Sequence, residues 1–500
     1  MKILLFSHLE QIREHAAYVR ALKEVGEIDA LLLTMGAQEY ALADSEAVFN
    51  EVLDLLPAAL DLDAAHTHRD ETTATLGGFE KRLDARFVNR DLLMDRYFRG
   101  QPRLDVAADK VPLVWDGERA RRFMALVGTS LQAQLERYDP DFVLVETSSA
   151  PSRMAWRLAH ARGVPAGVFM PVRFWPNRLY LETGIGYHWH QARSTYAQLK
   201  VEPMANAERE EVQQRLHTLR QEKTKPAYLM TDHAKGLPGI VKKLNPKQRL
   251  EGLGLWLGER AKTYGRHPRV LPGPLFSPLA QLGRYVRARK SKRYLRDHHV
   301  PFSALRGKKY AVYFLHVQPE LTVEEMAFDF QDQVNTLRNI LAALPADMSL
   351  VVKEHSPMLG YRPLEVYSKL VHMPGIILVD TGVDSHELIA QSSVVVTLTG
   401  TVALEALLYR VPAVVLGSIY FDVFDGISKP ENLDDMKSML ADPESLYRAT
   451  EDDVLRMLGS LRRASSAGSP ARLDVSVQSI DTDSAVSMLA ELKSASKAGV

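Results

Sequence analysis

Lys353, Glu354 and His355 stand in a row directly after the apolar residues 350–352. A continuous apolar run that turns abruptly polar is typical of a central parallel strand, whose carboxyl end meets a ligand-binding crevice. A lysine is a compact charge that binds phosphate, and a histidine can donate to a departing phosphate oxygen or carry its proton. The row therefore predicts that Lys353 and His355 bind the phosphate of a nucleotide.

A second candidate phosphate site is the turn formed by Thr399, Gly400 and Thr401, which separates a buried strand pattern from a helical pattern. Gly400 permits a tight turn, and the hydroxyls and first amides of the helix would face outward, where they can bind phosphate. Glu405 lies one turn into the helix, within reach of a ribose hydroxyl. The alternative is an ordinary capped turn with a solvated Glu405.

His316, Gln318 and Glu320 follow the apolar strand pattern of "KYAVYFLH". An imidazole, an amide and a carboxylate around one proline predict a binding loop. In this interpretation Gln318 contacts the nucleotide, and His316 and Glu320 are candidates for catalysis. The alternative, a hydrogen-bonded core histidine at position 316, stays open.

The first half of the chain has its own polar strand ends. Glu146 ends the strand pattern in "DFVLVETSS", and Arg173 and Arg178 lie just beyond the next strand, in "PVRFWPNRLYLETG". The guanidinium fork matches a carboxylate or phosphate. The two arginines are therefore candidates for binding an anionic group, and each could equally form a surface ion pair.

Other signatures of chemistry are missing from the sequence. It contains neither G-x-x-x-x-G-K-[ST] nor G-x-S-x-G, and His188 and His190 have no partner at a metal-site spacing. We therefore expect no metal and no cofactor.

The elements that must position these residues alternate between strand and helix. Residues 2–34 predict strand, helix, strand; residues 141–171 repeat the unit, and residues 308–417 continue it. Such βαβ units predict largely parallel sheets. We expect an α/β fold of two Rossmann-like, doubly wound domains facing a cleft, the GT-B arrangement of nucleotide-sugar glycosyltransferases.

The looser stretches of the sequence predict the domain boundaries. A basic, Pro- and Gly-punctuated stretch interrupts the alternation, and "ASSAGSPA" near the end is linker-like. The expected parts are an N-terminal acceptor-side domain (1–190), a basic helical insertion or connector (191–306), a C-terminal nucleotide-sugar domain (307–463) and a linker-like tail that could close as a helix (464–500).

Composition limits the protein's class. The chain is 46% apolar and 25% charged, as in ordinary globular proteins, and it has no cysteine, which excludes disulfides, thiolate metal sites and cysteine nucleophiles. No run of about 18 apolar residues and no signal-peptide pattern occurs. We expect a cytoplasmic protein.

The formal net charge of zero hides a basic block at residues 223–309. This block holds 21 Lys plus Arg against 4 Asp plus Glu, which makes +17. Nucleic acid, anionic lipid or a phosphorylated glycan could each bind such a surface, and a solvated helical face is the plain alternative. Of these we expect an anionic membrane surface as the partner, with the protein held peripherally on the inner membrane. We expect no nucleic acid partner.

The motifs "VYFLHVQPE", "LPADMSLVVKEH", "MLGYRP" and "VVVTLTGTVALEALLYRVPAVVLG", in this order, resemble the capsule and surface polysaccharide biosynthesis proteins that include the bacterial retaining β-Kdo transferases. The resemblance covers about residues 305–425 and more faintly 140–182. It implies a GT-B fold and a CMP-activated 3-deoxy-2-ulosonic acid donor. The family usually has His followed directly by Pro, whereas here Ser356 separates His355 from Pro357.

The combined hypothesis is a glycosyltransferase that moves a Kdo-like acidic sugar from its CMP ester to a glycan or glycolipid. Arg173 or Arg178 would hold the sugar carboxylate. Retention of configuration needs a carboxylate nucleophile and a second group for acid–base work. The candidates for these roles are Glu146, Glu320 and Asp232.

Two alternatives stay open. One is a UDP-sugar GT-B transferase or a UDP-GlcNAc 2-epimerase-like enzyme, since these share the Gly-Thr helix start and the glutamate one turn later. The other is a non-catalytic binding module of a capsule assembly complex, docked through the basic block. The sequence leaves the acceptor, the linkage and the oligomeric state open.

Overall fold

The computed structural model describes residues 1–6, 9–34, 37–55, 67–95, 117–145, 147, 149–223, 278–318, 320–468 and 480–498. Within these ranges the chain forms two lobes, each built on one mainly parallel sheet. The expected α/β fold with parallel sheets is confirmed. The first lobe is the sheet that begins at residue 2 with its helices, and the second lobe is the sheet that begins at residue 309 with its helices.

The first sheet has the strand order β13-β6-β5-β4-β1-β2-β3. Strands β1 to β5 pair parallel with one another, whereas β6 pairs antiparallel with both β5 and β13. The strands are β1 (Lys2–Phe6), β2 (Asp29–Thr34), β3 (Glu51–Asp54), β4 (Phe142–Val145), β5 (Ala166–Pro171), β6 (Arg178–Glu182) and β13 (Ser466–Ala467).

Helices cover both faces of this sheet, which explains why β1 is apolar on both sides. The helix after β4 begins at a favourable N-cap, because the Ser149 hydroxyl accepts a hydrogen bond from the Ser152 amide. The helices are α1 (Leu9–Val25), α2 (Ala37–Glu46), α3 (Arg69–Arg82), α4 (Val88–Met94), α5 (Gly117–Tyr138) and α6 (Ala150–His160).

The second sheet is parallel and has the order β12-β11-β10-β7-β8-β9. The chain starts at the centre with β7, moves outward to β9, and then returns to the other side of β7 with β10. Ligands of doubly wound sheets bind where the order reverses, which here is between β7 and β10. The strands are β7 (Lys309–Phe314), β8 (Met348–Lys353), β9 (Ile376–Val379), β10 (Val394–Thr397), β11 (Ala413–Val415) and β12 (Ile427–Ser428).

The helices of the second lobe follow its strands, except for the basic helix α9, which precedes β7 and packs on β9 and α12 at the sheet edge. They are α9 (Pro278–His298), α10 (Leu321–Glu324), α11 (Gln333–Ala343), α12 (Leu364–Val371), α13 (Ser385–Ala390), α14 (Val402–Leu408), α15 (Leu433–Ala441) and α16 (Glu451–Arg463).

Two segments pack differently from the predicted boundaries. Helices α7 (His190–Val201) and α8 (Asn206–Glu222) pack on α16 through buried apolar side chains, so they belong to the core of the second lobe rather than to a separate connector. The tail returns to the first lobe, where β13 extends the sheet and α17 (Thr482–Ala498) packs on α1. Residues 224–277, nearly half of the predicted basic insertion (191–306), lie outside the described residues.

The two lobes share one apolar cluster. Trp175, Tyr180 and Trp189 of the first half pack in the same cluster as Tyr420 and Phe421 of the second lobe. In the part of the chain that the structure describes, no helix is long and apolar enough to cross a membrane.

Candidate active site between the two lobes

The imidazole of His316 joins the strands on either side of the switch point. Its Nε2 accepts a hydrogen bond from the backbone N–H of Leu398 at 3.1 Å, and it lies 2.9 Å from Oγ1 of Thr397. A ring nitrogen that accepts carries no proton, so the Thr397 hydroxyl is the donor of this second bond. His316 therefore fixes the end of β10 to the end of β7.

Burial lowers the pKa of His316 to about 3, and the nearby His355 and Arg362 lower it further. The ring is neutral at physiological pH, as its accepting role requires. The alternative interpretation, a hydrogen-bonded core histidine, describes this geometry. A catalytic role for His316 stays a prediction.

Position 400 must be glycine because a side chain there would not fit. The backbone N–H of Gly400 donates to Oγ1 of Thr397 at 3.1 Å, which closes the turn onto the histidine. A Cβ at this position would lie 2.6 Å from Thr397 Oγ1 and 3.2 Å from Cε1 of His316. The turn that the sequence predicted is present, but its glycine is needed for close packing and not for a positive φ angle.

The two threonines of the turn differ. The Thr399 hydroxyl donates to the carbonyl oxygen of Thr322 at 2.9 Å, so its proton is committed to the protein and it could only accept from a ligand. Thr401 is the N-cap residue of α14 and makes no side-chain cap bond. Of the two, Thr401 is therefore the one able to donate to a phosphate.

Glu354 is 4% exposed and its carboxylate is used inside the second lobe. Its carboxylate accepts from Nε of Arg362 at 2.6 Å and from the Tyr367 hydroxyl at 2.7 Å. Arg362 also donates from Nη2 to the carbonyl oxygen of His316 at 2.6 Å. This buried network ties the end of β8 to the end of β7, and sequence reasoning missed the contacts of Glu354 with Arg362 and Tyr367.

Lys353 and His355 flank this buried glutamate at the strand end. The Lys353 ammonium donates to Oγ of Ser385, at the start of α13, at 2.8 Å. Burial lowers the pKa of His355 to about 4, and the positive charges of Lys353 and Arg362 add to the effect. The charge of a bound phosphate would oppose this shift, so the predicted phosphate contact is chemically reasonable here.

The loop after β7 uses its polar groups internally. The amide of Gln318 donates to Oε1 of Glu324 and to the carbonyl oxygen of Gln331, both at 3.0 Å, and accepts from Nε2 of Gln333 at 3.1 Å. Gln318 is thus part of the loop's framework rather than a group available to a nucleotide. Glu320 accepts from the Thr322 hydroxyl at 3.0 Å.

Arg173 and Glu405 bring the two lobes together. Nη2 of Arg173 donates to Oε1 of Glu405 at 2.7 Å, and the side chains are only 14% and 6% exposed. Sequence reasoning assigned the arginine to a sugar carboxylate and the glutamate to a ribose. The structure places both at one point between the lobes, paired with each other.

Arg178 has a different environment. Its Nε donates to Oγ of Ser465 at 2.8 Å, and its Nη2 donates to the carbonyl oxygens of Arg462, at 2.9 Å, and of Ser465. These bonds satisfy the end of α16 and hold the chain that continues into β13. We therefore assign Arg178 to the fold and correct the prediction that it could hold the sugar carboxylate.

Only some of the predicted nucleophile candidates lie among the residues that the structure describes. Glu146 and Asp232 lie outside the described residues. Sequence reasoning missed Glu182, which ends β6, is 3% exposed, and accepts from the amides of Gly184 and Trp189 at 2.8 and 3.0 Å. Burial raises its pKa to about 7. A charged residue at the end of an apolar strand was the available signal, the same one that singled out Lys353.

Backbone strain is concentrated near Arg173. Phe174, Asn177, Tyr187 and Trp189 have φ angles of 72°, 56°, 53° and 27°. Non-glycine residues rarely adopt this left-handed region, and such residues cluster at functional sites.

No group of three or more His, Asp or Glu side chains among the described residues is arranged to hold a metal ion.

Comparison with known proteins gives one family match. Residues 277–458 match the model of the capsule polysaccharide biosynthesis protein family. No curated protein matches the chain. The matched range includes α9, so this part of the basic block lies within the residues that the family model matches.

Solved structures resemble the chain only distantly. The β-Kdo 2,7 transferase KpsC of Thermosulfurimonas dismutans is 13% identical, covers 73% of this chain and 89% of its own, and has a TM-score of 0.36. The β-Kdo 2,4 transferase of the same protein is 10% identical, with coverages of 71% and 86% and a TM-score of 0.30.

A putative UDP-N-acetylglucosamine 2-epimerase from Listeria monocytogenes is 13% identical, with coverages of 99% and 96% and a TM-score of 0.28. At such TM-scores these likenesses carry no argument about the site. The resemblance that the motifs indicate is confirmed over residues 277–458, the part of this chain that the capsule polysaccharide biosynthesis model matches.

Proposed function

We propose that the chain is a glycosyltransferase of surface polysaccharide synthesis that moves a Kdo-like acidic sugar from its CMP ester to a glycan or glycolipid acceptor. The observation that carries this proposal is the ion pair between Arg173 and Glu405. This pair places the guanidinium of Arg173, from the first lobe, beside helix α14 of the second lobe. Helix α14 follows β10, the strand at the switch point. An anionic sugar held between the lobes would meet a positive charge at this point.

The nucleotide would bind at the carboxyl ends of the second sheet. In this proposal Lys353 and Thr401 contact the CMP phosphate, His355 donates to a phosphate oxygen, and Glu405 accepts from the ribose. Lys353 supplies positive charge where the leaving phosphate becomes more negative, so the proposal needs no metal ion. All of these residues lie in the range 277–458 that the family model matches.

The transfer step would break the bond between the anomeric carbon and the CMP phosphate and form a bond from that carbon to the acceptor oxygen. The acceptor hydroxyl gives its proton to the group that does the acid–base work, and CMP leaves with the bond's electron pair. Retention of configuration would require two such displacements through a carboxylate. Among the described residues Glu320 is a predicted candidate for that role.

A membrane-bound acceptor is consistent with the basic helix α9. Arg289, Lys290, Lys292 and Arg293 are exposed on it, whereas Leu295 packs into the second lobe. We propose that this cationic face holds the enzyme at the anionic inner leaflet, beside a lipid-linked acceptor.

The experiment that tests the function is a donor panel. The protein is incubated with acceptor mixtures and CMP-Kdo, CMP-sialic acid or UDP-sugars, and the products are analysed by mass spectrometry. We expect a mass increase of one Kdo-like residue with the CMP donor only, and thermal stabilisation by CMP over UDP. Transfer or epimerisation of a UDP-sugar would overturn the CMP proposal, and the absence of donor hydrolysis or transfer would favour a binding module.

A further inference from the structure

A short segment after β7, residues 320–330, makes another polar contact with the first lobe. Oε2 of Glu325 lies 3.5 Å from Nη1 of Arg153 on α6. The guanidinium of Arg90 on α4 lies over the ring of Phe328, 5.9 Å from its centre. Two helices of the first lobe therefore face one stretch of the second lobe.

This segment is anchored to its own lobe. The backbone N–H of Ser418 donates to the carbonyl oxygen of Met326 at 2.9 Å, and Thr399 donates to that of Thr322. A Cβ at Gly417 would lie 2.6 Å from the same Met326 oxygen, so no larger residue fits beneath it. The segment is thus fixed at the carboxyl ends of β10 and β11.

Arg153 is anchored to the first lobe in the same way. It is 1% exposed, donates to the carbonyl oxygens of Thr147 at 3.1 Å and Asp91 at 3.0 Å, and has its Nε 3.1 Å from Oδ1 of Asp91. Thr147 lies two residues beyond β4, which neighbours β1 at the switch point of the first sheet. Arg153 therefore holds the backbone of this strand-end region.

We propose that Glu325 and Arg153 are positioning residues, through which the segment over the second sheet fixes the strand-end region at Thr147 of the first lobe. Neither residue is among those that the sequence assigned to the site. Together with the Arg173–Glu405 pair, this contact gives the lobes a second polar attachment at the carboxyl edges of both sheets. The contact does not rest on the proposed transferase activity, because it concerns the arrangement of the lobes.

The strength of the contact between Glu325 and Arg153 depends on pH. Burial raises the pKa of Glu325 to about 7 from its ordinary value of 4.5. When the lobes separate, the carboxyl is exposed and its pKa returns towards the ordinary value, so the closed contact binds more protons than the open one. Closure is therefore favoured at low pH and weakens as the pH rises through 7. The other charged groups that face Glu325 or Arg153 are Asp91, Asp95, Arg157 and Arg90.

The test is a distance measurement between the lobes. Because the chain has no cysteine, the changes Leu433→Cys on α15 and Val486→Cys on α17 create the only thiols for spin labels, at exposed positions. Pulsed electron paramagnetic resonance then gives the distance distribution at about pH 6 and about pH 8.5. From the two pKa values, the ratio of closed to open lobes should fall about tenfold across this range.

The variant Glu325→Gln keeps the shape of the side chain but cannot ionise. We expect it to show the closed distribution at both pH values. The control Glu387→Gln removes an exposed carboxylate that pairs with Lys223 and should respond to pH as the parent does. A parent distribution that does not change with pH, or a Glu325→Gln variant that responds as the parent does, would overturn the proposal. Since no sugar is present, either result leaves the transferase proposal to its own experiment.

Discussion

Arg173 and Glu405 are 232 positions apart in the sequence, yet their side chains form an ion pair of 2.7 Å between the lobes. A guanidinium has five N–H donors, so Arg173 can bind Glu405 and a second carboxylate together. The pair therefore prepares a positive site for an acidic sugar without leaving the arginine unpaired before the sugar binds. An unpaired buried charge would be costly.

The first prediction concerns this positive site. In Arg173→Gln, the CMP ester of an acidic sugar should bind about 10- to 100-fold more weakly, because a charge-assisted hydrogen bond contributes about 1.5–3 kcal/mol. CMP alone, which has no sugar carboxylate, should lose less affinity, through the ribose contact of Glu405 only. Isothermal titration calorimetry measures both affinities.

The control for this change is Arg193→Gln. Arg193 also donates to an acid of the second lobe, Asp422, at 2.6 Å, but it was not predicted to meet the sugar. It should leave both affinities unchanged. Equal losses for CMP and its sugar ester in Arg173→Gln would place the arginine at the nucleotide instead.

The second prediction separates the two threonines of the phosphate turn. Thr401→Val should weaken CMP binding by about 1.5–3 kcal/mol, because the hydroxyl is able to donate to the phosphate. Thr399→Val should spare CMP affinity and instead lower the free energy of unfolding by about 1 kcal/mol, because it loses the bond to Thr322. Titration calorimetry and urea denaturation measure the two effects, and a reversed pattern would contradict the assignment.

How far the sequence could predict this site depends on the distance between partners. Strand ends such as Lys353 and His316 are recognisable because an apolar run stops at a polar residue, and the carboxyl ends of parallel strands share one edge of the sheet. The direction of Glu354 was not recognisable, since it depends on Arg362 and Tyr367 folding back over it.

Long-range pairings could not be predicted from the sequence either, because they depend on how distant segments fold against each other. The two-residue strand β13 is defined only by its pairing with β6, and nothing in "ASSAGSPA" distinguishes it from a linker. The Arg173–Glu405 pair requires the relative placement of two lobes, whereas each residue alone was only a plausible ligand contact. The resemblance to the capsule polysaccharide proteins was recognisable because it rests on local motifs.

The third prediction follows from the buried neutral imidazole of His316. Its pKa falls from 6.5 in the unfolded chain to about 3 in the folded protein, so the unfolded chain binds more protons between these values. Stability is therefore fully present above pH 6.5 and is lost as the pH falls towards 3, by up to a few kcal/mol.

The variant His316→Gln tests this source of acid sensitivity. A glutamine can still accept from the Leu398 amide but does not titrate in this range. The free energy of unfolding is measured by urea denaturation from about pH 6.5 to about pH 4.5. It should fall less steeply with pH in the variant, because unfolding then takes up about one proton fewer. An unchanged slope would assign the acid sensitivity to other groups, such as His15, whose pKa burial also lowers to about 3.

The last prediction concerns the basic face of α9. Each Lys or Arg near an anionic membrane contributes about 1 kcal/mol, so a few cations in contact would give peripheral binding without an apolar anchor. The protein should sediment with anionic vesicles at low salt, stay in solution with neutral vesicles, and be released at high salt, because the Debye length shortens from about 10 Å at 0.1 M to about 3 Å at 1 M. Charge reversal of Arg289, Lys290, Lys292 and Arg293 should abolish sedimentation.

Arg287 must be left unchanged in this variant, because its Nε donates to the carbonyl oxygen of Gly360 at 3.1 Å and supports the fold. Arg293, by contrast, is 79% exposed and lies 3.8 Å from Asp297 of its own helix. The charge-reversed protein should therefore stay folded and keep its activity on a soluble acceptor. Loss of that activity in a folded variant would assign the basic face to the acceptor site, and sedimentation that persists would place the membrane contact elsewhere on the protein.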